Sequence, residues 1–372
     1  MNTTIRIGVI GTGRFGINHL ISFRQLEEFS LVKLVAMADI DLGKCHKYKD
    51  EFNIKVYENY KDMIDNENLT AISIATPDHL HGDIALYALE HGLHVFVEKP
   101  LDTCSRRSLE MVNLAKVKNL LLQVDFHKRY DPYHLEIKQL TKANKFGKFL
   151  YGYCYMENRI TVPKEWFPHW APESSPGWFL GSNFIDLIGW LMQSHAKTIF
   201  ATGQKEKLIG MGIDTFDSIQ AVVTYTNGAV ITYHMAWILP KQFPSITNQG
   251  FRLIGTEGII EVDSQDRGMD SCFNSEPMMK THNSGFIYTV ERQDGSRQYT
   301  GYGIESIQHF AENVAFLKNG GKLIELKDKY PSGEEGHEVT RIVEAIHESI
   351  RSGEVIELLD DNVEQLQEAK YA

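Results

Sequence analysis

Three groups of residues in this sequence have the types and spacing to do chemistry. The first is Gly11-Thr12-Gly13-Arg14-Phe15-Gly16, a G-x-G-x-x-G loop directly after the apolar run Ile5–Ile10. Gly11 permits a tight turn, Gly13 lets the backbone approach a pyrophosphate, and Gly16 lets the next helix pack closely on the strand. The helix N-terminus then offers free N–H groups and a positive dipole end to the anion. The second is Asp39, closing the next apolar run, Leu31–Asp39. An acidic residue about 20 positions beyond such glycines can hydrogen-bond the ribose 2′-OH of a dinucleotide. Its charge repels a 2′-phosphate, and Ile40 offers no positive charge to receive one, so NAD is expected over NADP. Asp41 is the alternative for this role, and Arg14 is the loop residue able to reach a phosphate. The third is Glu98-Lys99-Pro100-Leu101. Lys99 falls at the C-terminal end of a predicted parallel strand, where open α/β sheets bind their ligands. A partly buried lysine beside a cofactor can have a lowered pKa and exchange a proton.

The elements that must position these groups are legible as periodicity. Ile5–Ile10, Leu31–Asp39, Ala71–Ala75, His94–Val97 and Leu121–Phe126 read as strands. Gly16–Glu27, Asp41–Phe52, Leu80–His91 and Ser105–Lys118 between them have helical length and spacing. Strand alternating with helix predicts a doubly wound parallel sheet, an α/β Rossmann domain over residues 1–127. Beyond it the pattern turns to strand-like runs at Phe149–Met156, Asp217–Tyr225, Ala229–Ala236, Gly250–Gly255 and Gly258–Asp263. Asn227-Gly228 signals a two-residue hairpin. Helices are expected near Asn183–Gln193, Ile304–Leu317 and His337–Ile350, which gives residues 128–372 as an α+β domain with a mostly antiparallel open sheet.

Composition bounds the function. Of 372 residues, 42% are hydrophobic and 23% charged, an ordinary globular balance with two domains' worth of core. Lys and Arg number 38 against 49 Asp and Glu, a net charge of −11 that disfavours a nucleic-acid binder. No apolar stretch approaches a membrane span, and the opening residues lack a signal-peptide h-region. The four scattered cysteines form no C-x-x-C or zinc spacing, so free thiols in the cytoplasm are expected. No metal site is expected either, because nothing completes the pairs His79/His81 and His91/His94.

At Thr76-Pro77-Asp78-His79-Leu80-His81 and Glu98-Lys99-Pro100-Leu101 the chain resembles the glucose–fructose oxidoreductase / inositol dehydrogenase / rhizopine catabolism (Gfo/Idh/MocA) family. The whole run Ile72–Leu101 is similar to the family's hallmark segment. Phe126–Pro132, Thr226–Trp237, Gly255–Asp263 and Ala345–Leu358 extend the likeness over most of the chain, more loosely between about residues 150 and 215. The resemblance implies a nicotinamide site made of Gly11, Thr12, Gly13, Arg14, Phe15, Gly16, Asp39, Ile40, Thr76, Pro77, His81, Glu98 and Lys99, with Lys99 facing the substrate. It also implies a homo-oligomer, dimer or tetramer, assembled through the C-terminal sheet.

Members of this family commonly carry an Asp and a His four residues apart on a helix after a glycine pair, and a second Asp three residues further on. Asp186 and Trp190 register Pro176–Leu191 onto that pattern. Phe179 then stands where the Asp is common, and Asn183 where the His is common. Asn can hydrogen-bond a hydroxyl but exchanges no proton near neutral pH, and Phe can only pack. Three readings follow. Lys99 is the acid/base of an NAD-dependent dehydrogenase acting on a secondary hydroxyl of a sugar, glycoside or cyclitol, with Asn183 and Asp186 orienting it. The chain is a catalytically silent NAD- and sugar-binding sensor. Or it processes a glycoside with transient use of NAD. Trp166, His169, Trp170 and Trp178 form either a substrate-lining or a packed loop, and Tyr155, His234 and Trp237 either line the same pocket or lie in the core. Lys128-Arg129 either meets an anionic ligand or forms an ordinary ion pair.

Overall fold

The computed structural model describes residues 4–276 and 278–358. Its first part runs β1 (Ile5–Ile10), α1 (Gly16–Glu27), β2 (Val32–Ala38), α2 (Leu42–Phe52), β3 (Lys55–Tyr57), α3 (Tyr60–Asn66), β4 (Ala71–Ile74), α4 (His81–Glu90), β5 (His94–Val97), α5 (Ser105–Val117) and β6 (Leu122–Val124). The six strands form one parallel sheet in the order β3-β2-β1-β4-β5-β6. Ile5, Ile7, Val9, Ile72, Ile74, Val95 and Val97 are buried, as strands covered by helices on both faces require. The strand order reverses between β1 and β4, the crevice in which doubly wound sheets hold nucleotides. β3 and α3 were too short to show a period.

The second part comprises α6 (Pro132–Lys142), β7 (Phe149–Arg159), α7 (Ser182–Met192), β8 (Ala196–Gln204), β9 (Ser218–Tyr225), β10 (Val230–Leu239), β11 (Thr247–Gly255) and β12 (Ile259–Asp263). Two small ribbons follow, β13 (Asp270–Ser271) with β14 (Lys280–Thr281) and β15 (Tyr288–Glu291) with β16 (Arg297–Thr300). The described chain ends with α8 (Tyr302–Lys318), α9 (Gly333–Ser352) and β17 (Ile356–Glu357); residues 359–372 of the expected second domain lie outside the described residues. The large sheet has the order β12-β11-β7-β10-β9-β8-β17 and is antiparallel except between β7 and β10. Its inner residues, among them Cys154, Ile199, Val223 and Tyr233, share a core with Phe184, Ile188 and Leu191 of α7 and with Val343 and Ile346 of α9.

The hairpin at Asn227-Gly228 differs from expectation by one residue. Tyr225 and Ala229 close it, with Thr226–Gly228 between them, and Gly228 sits at φ +86°. One left-handed residue after a turn is the three-residue hairpin geometry, whereas a two-residue turn needs positive φ earlier. The chain then returns to its start. Ile307, Phe310 and Val314 of α8 join Leu20 and Phe23 of α1 in the core of the parallel sheet, and Phe310 stacks on Phe96 at 5.2 Å.

Candidate functional site

The glycine loop lies over the crevice. Gly11 has φ +88°, and a Cβ there would stand 2.4 Å from the Ala75 carbonyl oxygen at the end of β4. A Cβ on Gly16 would stand 2.0 Å from the Gly11 carbonyl oxygen. At Gly13, by contrast, a Cβ would meet nothing within 4 Å. The loop is therefore tight against protein on one side and open at its middle glycine, where a pyrophosphate backbone needs room. Thr76 Oγ1, on the adjoining strand end, is buried without a protein partner. The two features fit a dinucleotide.

Asp39 ties the loop to β2. Its Oδ2 accepts from the Thr12 backbone N–H at 2.8 Å and from Thr12 Oγ1 at 3.0 Å, and its Oδ1 accepts from the Asp41 N–H at 2.9 Å. Ile40 beside it is 87% exposed. The Arg14 guanidinium lies 4.0 Å from the centroid of Trp166. The charge facing a ribose position next to Asp39 is thus negative. His81 joins the neighbouring loops, its ring nitrogens 2.9 Å from the Thr76 carbonyl oxygen and 2.7 Å from that of Pro100.

Lys99, Phe179 and Asn183 come together, although 84 positions separate the first from the last in sequence (183 − 99). Lys99 Nζ donates to the Phe179 carbonyl at 2.8 Å and lies 4.3 Å from the centroid of the Phe179 ring. Asn183 Nδ2 is 3.4 Å from the same carbonyl oxygen, and Asn183 Oδ1 is buried without a partner. The turn Gly177–Gly181, wound wider than an α-helix, carries Phe179 to this point and runs directly into α7.

Asp186 and Glu98 sit differently. Both Asp186 oxygens accept from Arg129, Oδ2 from Nε at 2.9 Å and Oδ1 from Nη2 at 2.5 Å, and Arg129 Nη1 donates to Glu335 at 2.7 Å. Asp186 thus braces α7 against residues 127–130 and α9 through its ion pair with Arg129. Burial pushes the Asp186 carboxyl up to about 6 against the pull of Arg129. Burial alone would lower the Arg129 guanidinium; the charges of Asp186 and Glu335 outweigh it and hold it above its ordinary value. Glu98 Oε1 lies 3.1 Å from His19 Nε2 in a buried cluster with Asp125. Burial raises both carboxyls, that of Asp125 strongly and with help from the Glu98 charge, and lowers His19 to about 4. A buried carboxyl beside a like charge is pushed toward its neutral form. Glu98 therefore supports the strand end below Lys99.

Aromatic rings cluster around Phe179. Phe167 and Trp170 stack at 4.4 Å, and Phe179 lies 5.2 Å from Phe167, 5.9 Å from Trp170 and 5.8 Å from Trp237. In a second cluster Phe15 packs on His127 at 6.5 Å and on Phe286 at 6.2 Å. Trp178 is elsewhere, stacked on His347 of α9, and His169 is exposed. Tyr155 and His234 occupy the outer face of the large sheet, so of the three strand residues only Trp237 borders Phe179. Phe167 and Phe286 carried no motif that would have singled them out, and His127 lies in the family-like run Phe126–Pro132 without a feature of its own.

Comparison with known proteins agrees with this geometry. Residues 5–126 match the oxidoreductase family with an NAD-binding Rossmann fold, and residues 134–261 match the GFO/IDH/MocA C-terminal domain. The chain belongs to the Gfo/Idh/MocA oxidoreductase family. An inositol 2-dehydrogenase of Salmonella paratyphi B is 28% identical over 53% of this chain, and the match spans 57% of that relative's length. The scyllo-inositol 2-dehydrogenase (NAD(+)) of Bacillus subtilis is 24% identical over 84% of this chain and 87% of its own. The crystal structure of scyllo-inositol dehydrogenase from Lactobacillus casei with bound NAD(H) and scyllo-inositol superposes with a TM-score of 0.75 at 18% identity, over 95% of this chain and 99% of that one. At that identity the superposition speaks for the fold.

The family's NAD-binding fold makes the Asp39 carboxylate directly testable. Asp39→Ala is expected to weaken NADH binding by roughly 10- to 150-fold, the worth of about 1.5–3 kcal/mol for hydrogen bonds to a charged group, and to weaken NADPH binding less. Fluorescence titration of both nucleotides checks this. An equal loss for the two would show that Asp39 only holds Thr12 in place.

Proposed function

We propose that this chain is an NAD-dependent oxidoreductase moving a hydride between the nicotinamide and a secondary hydroxyl of a sugar, glycoside or cyclitol. The observation that carries it is the meeting of Lys99 and Asn183 at the Phe179 carbonyl, beside a strand-end crevice shaped for a dinucleotide. The nicotinamide, when bound, accepts or returns the hydride. The protein must handle the hydroxyl proton. Lys99 Nζ serves as acid/base: its ammonium donates to the carbonyl oxygen in reduction, and its amine receives the hydroxyl proton in oxidation. Asn183 Oδ1 accepts from a substrate hydroxyl and orients the ring. The inositol dehydrogenase relatives favour a cyclitol among these substrates.

We assign the cofactor site to residues 1–127, with Lys99 facing the substrate, and the rest of the substrate site to residues 128–372. No helix among the described residues is long and apolar enough to cross a membrane, and we place the protein in the cytoplasm. The outer face of the large sheet carries Tyr151, Phe200, Val222 and Val230 exposed, and we propose it as the contact between copies of the chain.

The test is NAD reduction across a panel of polyols, sugars and glycosides, with NADH titrated in parallel. Turnover that vanishes in Lys99→Ala supports the reading. Tight NADH binding without turnover on any alcohol supports a sensor, the reading that Phe179 in place of an acidic residue favours. Glycoside cleavage that needs NAD without accumulating NADH supports transient redox use. Asn183→His restores a titratable group where the family commonly has one and is expected to raise kcat by about tenfold or more; a decrease would show that the pocket does not have dehydrogenase geometry.

A further inference from the structure

A segment of the second domain, residues 162–176 between β7 and α7, meets both loops that flank the nucleotide crevice. At its start the turn Val162–Trp166 is rooted in the second domain: Val162 and Pro163 are buried, and Glu165 pairs with Lys241 at 2.9 Å. That turn presents Trp166, half-buried, with the Arg14 guanidinium of the glycine loop after β1 over its ring at 4.0 Å. Farther along, Ser174 Oγ donates to Asp78 Oδ2, in the loop after β4, at 2.6 Å. The strand order reverses between β1 and β4, so the segment bridges the two rims of the crevice.

Arg14 carries the sole charge in the loop Gly11–Gly16. It is exposed, and among the described residues no carboxylate or other acceptor takes its N–H donors; the contact shown for it is the Trp166 ring. Beside it, a Cβ on Gly13 would meet nothing within 4 Å, which leaves that flank of the loop free for a pyrophosphate. An aromatic ring attracts the guanidinium charge without accepting its in-plane donors. Those donors suit phosphate oxygens in pairs. An arginine that grips a phosphate unaided must first give up its rotamer freedom, and one already seated on a ring has less to lose. Resting on the NAD site assigned above, we propose that Arg14 and Trp166 form a clasp over the bound cofactor: the guanidinium grips the pyrophosphate, and Trp166, from the other domain, holds it there and slows the release of NADH. Trp166 is a positioning residue, since it acts through Arg14.

The experiment is stopped-flow release of NADH from the full chain, followed by nucleotide fluorescence on displacement with excess NAD. Equilibrium titrations of NADH and of ADP-ribose, which keeps the pyrophosphate and lacks the nicotinamide, accompany it. A cation–π contact is worth a factor of about 2 to 30, so Trp166→Leu should speed NADH release by about tenfold and weaken NADH and ADP-ribose by similar factors. Trp166→Phe keeps a ring and should stay within about threefold of the parent. Arg14→Met should weaken both ligands by about tenfold or more, as the loss of hydrogen bonds from a charged group. Adding Trp166→Leu to Arg14→Met should then cost less than about twofold further, because the ring has no guanidinium left to hold. Thermal unfolding checks that each variant folds, and Trp166→Gln serves if the leucine variant does not. Additive losses in the double variant, unchanged release in a folded Trp166 variant that lacks a ring, or a phenylalanine variant as weak as the leucine one would overturn the clasp. So would a loss for NADH without one for ADP-ribose, which would put Trp166 at the nicotinamide instead. A parent protein that binds neither ligand loses the NAD site together with the clasp. One that binds both, with Arg14→Met unaffected, loses the clasp alone.

Discussion

Lys99→Met is expected to lower kcat for NAD-dependent alcohol oxidation by roughly 10²–10⁴, the usual contribution of a positioned acid or base, while leaving NADH affinity within about threefold. Lys99 is 7% exposed, and the partner shown for its Nζ is the Phe179 carbonyl. An ammonium has three donors, so two remain for ligand atoms. The other ionisable groups close by are poor substitutes. His127 is held well below its ordinary value by burial and by the charges of Lys128 and Lys99, and so stays neutral. Glu98 and Asp125 lie in a buried cluster with His19, where burial raises both carboxyls. Methionine fills the lysine's stem and removes only the nitrogen, so a fall in kcat at unchanged NADH affinity isolates the proton-handling role. A variant with full kcat and a raised KM would instead make Lys99 a substrate anchor, and the acid/base assignment would have to move.

What was legible in the sequence follows from how locally each feature is encoded. The strands of the parallel sheet are continuous apolar runs punctuated by glycine, so they were readable within a residue or two; Leu31–Asp39 shrinks only to Val32–Ala38. α6 does carry a start signal in sequence, Asp131 as its cap and Pro132 at its first turn, but no apolar period strong enough to announce a helix. α9 begins at Gly333 rather than His337 because Ser332 and Glu335 form a capping box. β8 escaped notice because its inward residues include two alanines, Ala196 and Ala201, which mark a buried face weakly. Lys99 and Asn183 were named because each lies in a local pattern, the strand end for one and the spacing to Asp186 for the other. What joins them is a backbone carbonyl, and no side-chain pattern encodes that. The same holds for α8, whose apolar stripe announces a helix but not that its partner is α1, and for Arg129, whose partner lies 57 residues away.

That arginine gives the largest expected effect on stability. Arg129→Met should destabilise the fold by about 3–5 kcal/mol, the range for removing one member of a buried ion pair. Asp186 is nearly fully buried and gives both oxygens to Arg129, so the variant leaves a carboxylate without a countercharge; Glu335 is partly exposed and regains water. The deficit should depend on pH. An aspartate in the unfolded chain titrates near 3.9, whereas burial holds Asp186 at about 6 in the fold. A carboxyl raised on folding favours the fold while protonated, and that contribution is lost as pH rises through its folded value. Without Arg129 the folded value climbs further, so the loss extends to higher pH in the variant than in the parent. The stability gap should therefore be widest near pH 7 and narrow toward pH 5, measured by urea unfolding at each pH. Arg129→Met/Asp186→Leu removes both charges and should recover part of the loss, because replacing a buried pair with apolar side chains is often neutral. Additive losses in the double variant, or a gap that widens as the pH falls, would mean that Arg129 stabilises the junction through its stem packing on Phe126 and Trp190, whose ring centroids lie 5.8 and 5.5 Å from its guanidinium, and not through Asp186.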